Sequence, residues 1–298
     1  MPGYDRPLYI LAFDHRSFFA NALFRKSTGL DEAQQALIRE LKQIIYEGFL
    51  LGVDLGVPED AAAILVDEQY GADIHRDANE RGFINILTTE KSGKDEFEFE
   101  YGDDFGAHIQ AVAPVFAKAL VRYRPDGDPE RNERQLGRLK QLSDWCHANG
   151  RGFLIEPLVS PTEEEKQKLG QELFDEQKRP ALTAQMISQF QEAGVEPDIW
   201  KIEGMENADD YRLVVSQAKA GGRDKVSCVV LGRAEDMAHV ERWLRAAIGV
   251  EGMTGFAIGR TIFWEALQRY VKRENTREQA IDAIAANYLH CFRVFTEG

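Results

Sequence analysis

The chain has 298 residues, 44% of them hydrophobic and 29% charged, with a formal net charge of −14. This is the composition of a soluble globular protein rather than a disordered or fibrous one, and the acidic balance argues against a nucleic-acid surface, since phosphate backbones are held by clustered Lys and Arg. No segment approaches a membrane span, and the apolar run 8–13 is too short, and too soon followed by Asp14-His15-Arg16, to be a signal peptide, so a cytoplasmic protein is expected.

Strand-like and helix-like patterns then alternate along almost the whole sequence. Residues 8–13 read as a first strand, leading through a loop to a helix at 31–50 that Asp31 is suited to cap. Strand two is expected at 62–67 with a helix at 71–81, and strand three at 83–88, followed by a charged loop at 90–101 and a helix at 105–116. Strand four is read at 119–123, after which Pro125-Asp126-Gly127-Asp128-Pro129 breaks the chain before a helix at 130–149. Strand five takes 152–156, the polar segment 160–179 looks like a partly helical insertion, and amphipathic spacing resumes at 181–193. Strand six is 198–202 with a helix at 208–220, strand seven 226–231 with a helix at 235–248, and strand eight 255–258, before helices at 261–272 and 277–295.

Eight such alternations predict parallel strands joined by helices, and an α/β fold of the closed (β/α)8 TIM-barrel type explains them in one domain spanning 1–298. No linker rich in Pro, Gly or Ser divides the chain. An open doubly wound sheet would carry a Gly-rich turn after strand one, where this chain has Asp14-His15-Arg16-Ser17; the glycines Gly48 and Gly52 read as a helix end. Cys146, Cys228 and Cys291 have no paired spacing, which argues against a disulfide framework or zinc knuckle. The six histidines form no His-Glu-x-x-His arrangement, so the expected site has no metal and no cofactor, with Asp14, His15 and Glu68 the one set able to converge on a cation.

In a TIM barrel the active site lies at the carboxyl ends of the strands. Those ends deliver Asp14 and Arg16, Asp67 and Glu68, Glu90 and Lys91, Arg122, Glu156, and Lys201 and Glu203. Lys201 stands out, because the run Ile199-Trp200-Lys201-Ile202 is otherwise apolar and a desolvated ammonium is costly. Burial favours the neutral amine, which can attack a carbonyl and form a Schiff base; the plainer alternative is a lysine that snorkels out or pairs with Glu203. Glu156 lies in a second apolar run, where desolvation is expected to raise its pKa and suit it to proton transfer. Two glycine-arginine pairs, Gly232-Arg233 after strand seven and Gly259-Arg260 after strand eight, fall where this fold binds phosphate. The plainer alternative is that Gly255 and Gly259 merely ease a tight barrel strand while both arginines form surface ion pairs.

Leu11-Ala12-Phe13-Asp14-His15-Arg16, Val66-Asp67-Glu68-Gln69-Tyr70-Gly71, Glu90-Lys91-Ser92-Gly93, 198–204 and 255–261 resemble the 2-deoxy-5-keto-D-gluconate 6-phosphate aldolase-like domain. That domain is often fused behind a sugar kinase in inositol catabolism, and it is similar to the class I aldolases that cleave tagatose 1,6-bisphosphate. The resemblance implies a metal-free barrel aldolase with Lys201 as the Schiff-base lysine, Glu156 as the proton-transferring acid, Asp14 and Arg16 as the first-strand motif, and 231–232 with 259–260 holding phosphate. One departure is Arg122, where those relatives often carry lysine; an arginine stays charged and would hold carboxylate or hydroxyl groups instead. With no kinase portion in front, a free-standing enzyme is expected.

The activity expected is retro-aldol cleavage of a phosphorylated sugar substrate. The rival readings are a metal-dependent barrel lyase or sugar-phosphate isomerase, and a non-catalytic sugar-phosphate-binding protein. The stripe Tyr288, Phe292 and Phe295 on the last helix would either pack on its own barrel or cover an interface in a homo-oligomer.

Overall fold

The computed structural model of the protein describes residues 3–26, 28–233 and 236–298. Eight parallel strands form a closed barrel in sequence order: β1 (Leu8–Ala12), β2 (Ala62–Val66), β3 (Ile84–Thr88), β4 (Phe116–Arg122), β5 (Gly152–Leu158), β6 (Ile199–Glu203), β7 (Ser227–Leu231) and β8 (Met253–Ile258). Closure comes from β8 pairing with β1, Leu8 to Gly255 through Leu11 to Ile258. The expected (β/α)8 TIM barrel is therefore the fold.

Helices α1 (Ser17–Phe24), α2 (Glu32–Asp54), α3 (Glu68–Arg81), α4 (Phe105–Val112), α5 (Pro129–Ala148), α6 (Glu163–Gln177), α7 (Arg179–Glu192), α8 (Ala208–Lys219), α9 (Met237–Ala247), α10 (Arg260–Val271) and α11 (Arg277–Glu297) surround it. Their starts are fixed locally. Asp31 and Gln34 close a reciprocal capping box on α2, and the Asp67 side chain caps α3 through the Tyr70 N–H. Among the described residues no helix is long and apolar enough to cross a membrane.

Four local expectations need correction. The segment after β1 contains α1, whose Phe18 and Phe19 pack against Trp264, in place of a plain loop. The helix expected at 105–116 stops at Val112, because Ala113 takes a left-handed φ of 53° ahead of Pro114, a residue that disfavours helical backbone before it. Strand four consequently begins at Phe116, not Ala119. Gly48 and Gly52 lie inside α2, where a side chain at either would collide with Ile284 or Tyr288 of α11. The expected start of the helix at 235–248, Glu235, lies outside the described residues; α9 is described from Met237 with Asp236 as its cap.

The last helix packs on its own barrel. Tyr288 is buried and donates its hydroxyl to the Tyr9 carbonyl at 2.6 Å, and Phe292 and Phe295 lie edge-on to the Tyr9 ring. Inside the barrel the alternation of the strands sends one set of residues inward. The lower layers are apolar, formed by Leu8, Ile10, Ala63, Leu65, Ile86, Phe116, Leu154, Ile199, Val229 and Ala257, with Tyr4 stacked edge-on over Phe116 at the base. On β4, β5 and β6 the next inward positions toward the carboxyl ends are charged.

Candidate active site

The same inward phase that places Leu154 and Ile199 in the core places Glu156 and Lys201 one layer higher, and on β4 it places Lys118 above Phe116. Asp14, just beyond β1, and Glu90, just beyond β3, complete a cluster of five buried charges. Lys201 is 2% exposed and its Nζ donates to Glu156 Oε2 at 2.9 Å. That oxygen also lies 3.0 Å from Lys118 Nζ. Lys118 is 1% exposed and further donates to Asp14 Oδ2 at 2.8 Å and Glu90 Oε1 at 2.6 Å. One lysine thus faces three carboxylates and the other faces one.

The protonation states follow from this asymmetry. Burial works against a charged Lys118, but Asp14, Glu156 and Glu90 overcome it and raise its pKa well above the usual lysine value. Burial would raise the Asp14 and Glu156 carboxyls; Lys118 is the largest opposing influence on each and holds both below their ordinary values, helped by Lys201. The expectation that its apolar run raises the Glu156 pKa is overturned, because a buried cation stands beside it. His15, with Nδ1 3.9 Å from Asp14 Oδ1, is lowered to about 4 by burial, with Arg260 and Lys201 adding to the effect, so it is neutral at physiological pH.

The cluster opens into a cavity of about 340 Å3 at the carboxyl end of the barrel, lined by Lys201, Glu156, His15, Arg122 and both glycine-arginine pairs. The residues expected to bind ligand divide into two groups here. Gly259 lies where a side-chain carbon would sit 2.2 Å from the Ala12 carbonyl oxygen, so the approach of β1 to β8 by itself demands glycine. It precedes α10, whose start has no side-chain cap, and Arg260 projects over the Phe18 ring at 4.8 Å. The start of α9, in contrast, is filled by the Asp236 carboxylate on the His239 N–H. Backbone N–H groups at a helix start without a side-chain cap are suited to an anion, and Gly259 and Arg260 stand at that start. Gly232 borders the same cavity, packed against Ile258 and Val240, and Arg233 is engaged by carboxylates, its Nη1 2.6 Å from Asp175 and its Nε 3.2 Å from Glu203.

Two other expected ligand residues sit differently. Arg16 is buried, with Nη1 2.7 Å from Glu100 and a further N–H on the Glu90 carbonyl, and it lines a side lobe of about 160 Å3 over Lys118 rather than the Lys201 cavity. It ties the 90–101 loop to the end of β1. Arg122 stands at the exposed end of β4, donates to the Lys94 carbonyl at 3.0 Å, and borders both spaces. A buried lysine does stand on this strand, at position 118, four residues before Arg122 on the same inward face. Glu90 was among the expected strand-end residues but was given no role; Lys118 was missed, and Pro114 was the sequence signal that could have placed it in β4.

Asp14, His15 and Glu68 are not gathered around a cation position. Glu68 instead meets His108 of α4 at 2.9 Å, and among the described residues no group of His, Cys, Asp or Glu is arranged to hold a metal ion.

Comparison with known proteins agrees with the architecture. The family model described as "Uncharacterized protein conserved in bacteria (DUF2090)" matches residues 4–297, and the chain belongs to that family. Tagatose 1,6-diphosphate aldolase 2 of Streptococcus pyogenes, in serotypes M1 and M18, is 26% identical over 160 residues, a stretch covering 52% of this chain and 46% of the relative. The match thus spans less than half the length of these curated relatives. Two solved structures share the fold at a TM-score of 0.56: Cgl0159 from Corynebacterium glutamicum, at 17% identity over 96% of this chain and 87% of the other, and a fructose-bisphosphate aldolase from Slackia heliotrinireducens, at 14% over 94% and 86%.

Proposed function

We propose that the protein is a class I, Schiff-base aldolase that cleaves a phosphorylated keto sugar or keto-sugar acid. The observation that carries the reading is Lys201: a buried amine 2.9 Å from the Glu156 carboxylate, in a cavity that also holds Gly232, Arg233, Gly259 and Arg260. The similarity to a tagatose 1,6-diphosphate aldolase supports the same class of reaction.

In this mechanism ionised Glu156 takes a proton from Lys201, and the free amine attacks the substrate ketone. Glu156 returns the proton to the departing water as the iminium forms. Asp14 removes the proton from the hydroxyl across the scissile bond, the carbon–carbon bond breaks, and its electron pair enters the iminium to give an enamine and a free aldehyde. Protonation and hydrolysis of the enamine restore Lys201. Lys118 keeps its charge throughout, and its role is to hold Asp14 and Glu156 ionised so that each starts as a base. Phosphate held by Arg233, Arg260 and the Gly232 and Gly259 backbones anchors the substrate and aligns the bond to be broken. On the motif resemblance, the best single substrate is 2-deoxy-5-keto-D-gluconate 6-phosphate, giving dihydroxyacetone phosphate and malonate semialdehyde, which would tie the enzyme to inositol catabolism.

The test is reduction with borohydride in the presence of dihydroxyacetone phosphate, followed by mass mapping of the adduct. A stable adduct on Lys201 is expected. An adduct on Lys118 or on another lysine would overturn the assignment, and turnover of the candidate substrates without any adduct would remove the Schiff-base mechanism.

A further inference from the structure

Helix α6 is held to the barrel by little apolar surface. Phe174 is its one buried side chain, and Gly170 breaks it with a φ of 73°. The remaining ties are ionic: Glu165 to Arg124 at 2.7 Å, and Asp175 to both Arg179 and Arg233. An element attached in this way has a low free energy of local opening.

Arg233, which borders the proposed substrate cavity, already holds two carboxylates, Asp175 at 2.6 Å and Glu203 at 3.2 Å. A phosphate dianion arriving there would stand beside both, and like charges so close repel strongly in a partly buried site. Glu203 is fixed from behind by the Val159 N–H at 2.9 Å and by Arg179 at 3.4 Å. Asp175 has no backbone N–H of the barrel behind it: it rides on α6, and besides Arg233 it meets Gln171 of the same helix at 2.6 Å and Arg179. It also has a second arginine to rest on: Arg179 is buried, and its Nη1 makes no hydrogen bond.

We propose that Asp175 is a specificity-determining residue, a tethered carboxylate that occupies the Arg233 subsite and yields it to a phosphate dianion but not to a carboxylate, with α6 unlatching from Arg233 as the anion binds. The inference rests on the phosphate reading of this cavity. Tethering gives Asp175 an effective concentration of roughly millimolar or more, so a dissolved carboxylate of equal charge gains nothing by exchange. Phosphate brings a second charge and a bidentate fit to the guanidinium. Asp175 then remains with Arg179, and the ion pairs rearrange without leaving a buried charge alone.

The test is calorimetric titration of the wild type and Asp175→Asn with inorganic phosphate and with acetate at about pH 8, where phosphate is close to dianionic, together with hydrogen–deuterium exchange over residues 163–177. Asp175→Asn is expected to bind phosphate about tenfold tighter, the scale of one charge-assisted contact freed, and to gain acetate binding that the wild type lacks. Phosphate should speed exchange of α6 in the wild type and leave it unchanged in the variant, where it is fast from the start. Unchanged or weaker phosphate binding by Asp175→Asn would overturn the proposal and make Asp175 a support for Arg233. Unaltered α6 exchange in the wild type at saturating phosphate would overturn it without recourse to any variant. Phosphate binding to neither protein would remove the phosphate reading along with this inference, whereas equal binding to both removes this inference alone.

Discussion

Lys118 on β4 and Lys201 on β6 occupy equivalent inward positions on opposite sides of Glu156, and both are almost fully buried. What separates them is the number of carboxylates in reach, three for Lys118 and one for Lys201. The first is a fixed cation around which acids are arranged; the second is bound only to the acid that would take its proton. Burial alone does not make a lysine reactive. The number of carboxylates around it is what separates these two amines.

The sharpest way to break this comparison is to remove each amine in turn. Lys201→Met should abolish cleavage, by about four orders of magnitude in kcat or more on the scale of losing a covalent nucleophile, while leaving the fold intact by circular dichroism. Lys118→Met should act first on stability: it leaves Asp14, Glu90 and Glu156 facing Lys201 alone, and breaking a buried ion pair in this way costs about 3–5 kcal/mol. A denaturant titration reads that loss, and an unchanged midpoint would refute the role given to Lys118.

The pH dependence sharpens the contrast. Asp14 and Glu156 have lowered pKa values in the fold, so their contribution is present above the ordinary carboxylate range near pH 4 and fades as pH falls below it. Lys118 has a raised pKa, so its contribution is present below the ordinary lysine value of about 10.4 and is lost only as pH rises past its own higher pKa. Wild-type stability from this cluster should therefore be level between about pH 5 and 9. In Lys118→Met the carboxyl pKa values rise, and stability should instead decline as pH increases across that window, a sign change that thermal melts at several pH values would detect.

Smaller effects are expected at the mouth. Arg260→Gln should weaken phosphorylated ligands by about tenfold, the scale of a hydrogen bond to a charged group, and spare unphosphorylated analogues. Arg122→Gln, at an exposed strand end, should change stability by no more than about 0.5 kcal/mol, and equal losses for both arginines in ligand titrations would erase the distinction between the two sides of the cavity.

The barrel was legible from the sequence because each strand carries its own apolar run and each major helix its own spacing. Lys201 and Glu156 were legible for the same reason, each a lone charge inside such a run. Lys118 was not, because Phe105 to Phe116 reads as one continuous helical pattern unless Pro114 is taken as the break, and the lysine then falls into the gap before the expected strand. Losing Lys118 also reversed the inference about Glu156, since the direction of its pKa depends on a cation contributed by a neighbouring strand. Partners that converge from distant parts of the chain, such as Asp175 and Glu203 on Arg233, leave no mark in local periodicity.

The edge-to-face pair Tyr4 and Phe116 is buried at the amino end of the barrel. Between this pair and the charged layer the described inward residues are apolar and buried. In the proposed reaction, substrate and both fragments of a cleaved sugar would then pass through the mouth at the carboxyl end, and the fragment nearer the rim would depart before the one bonded to Lys201 is hydrolysed.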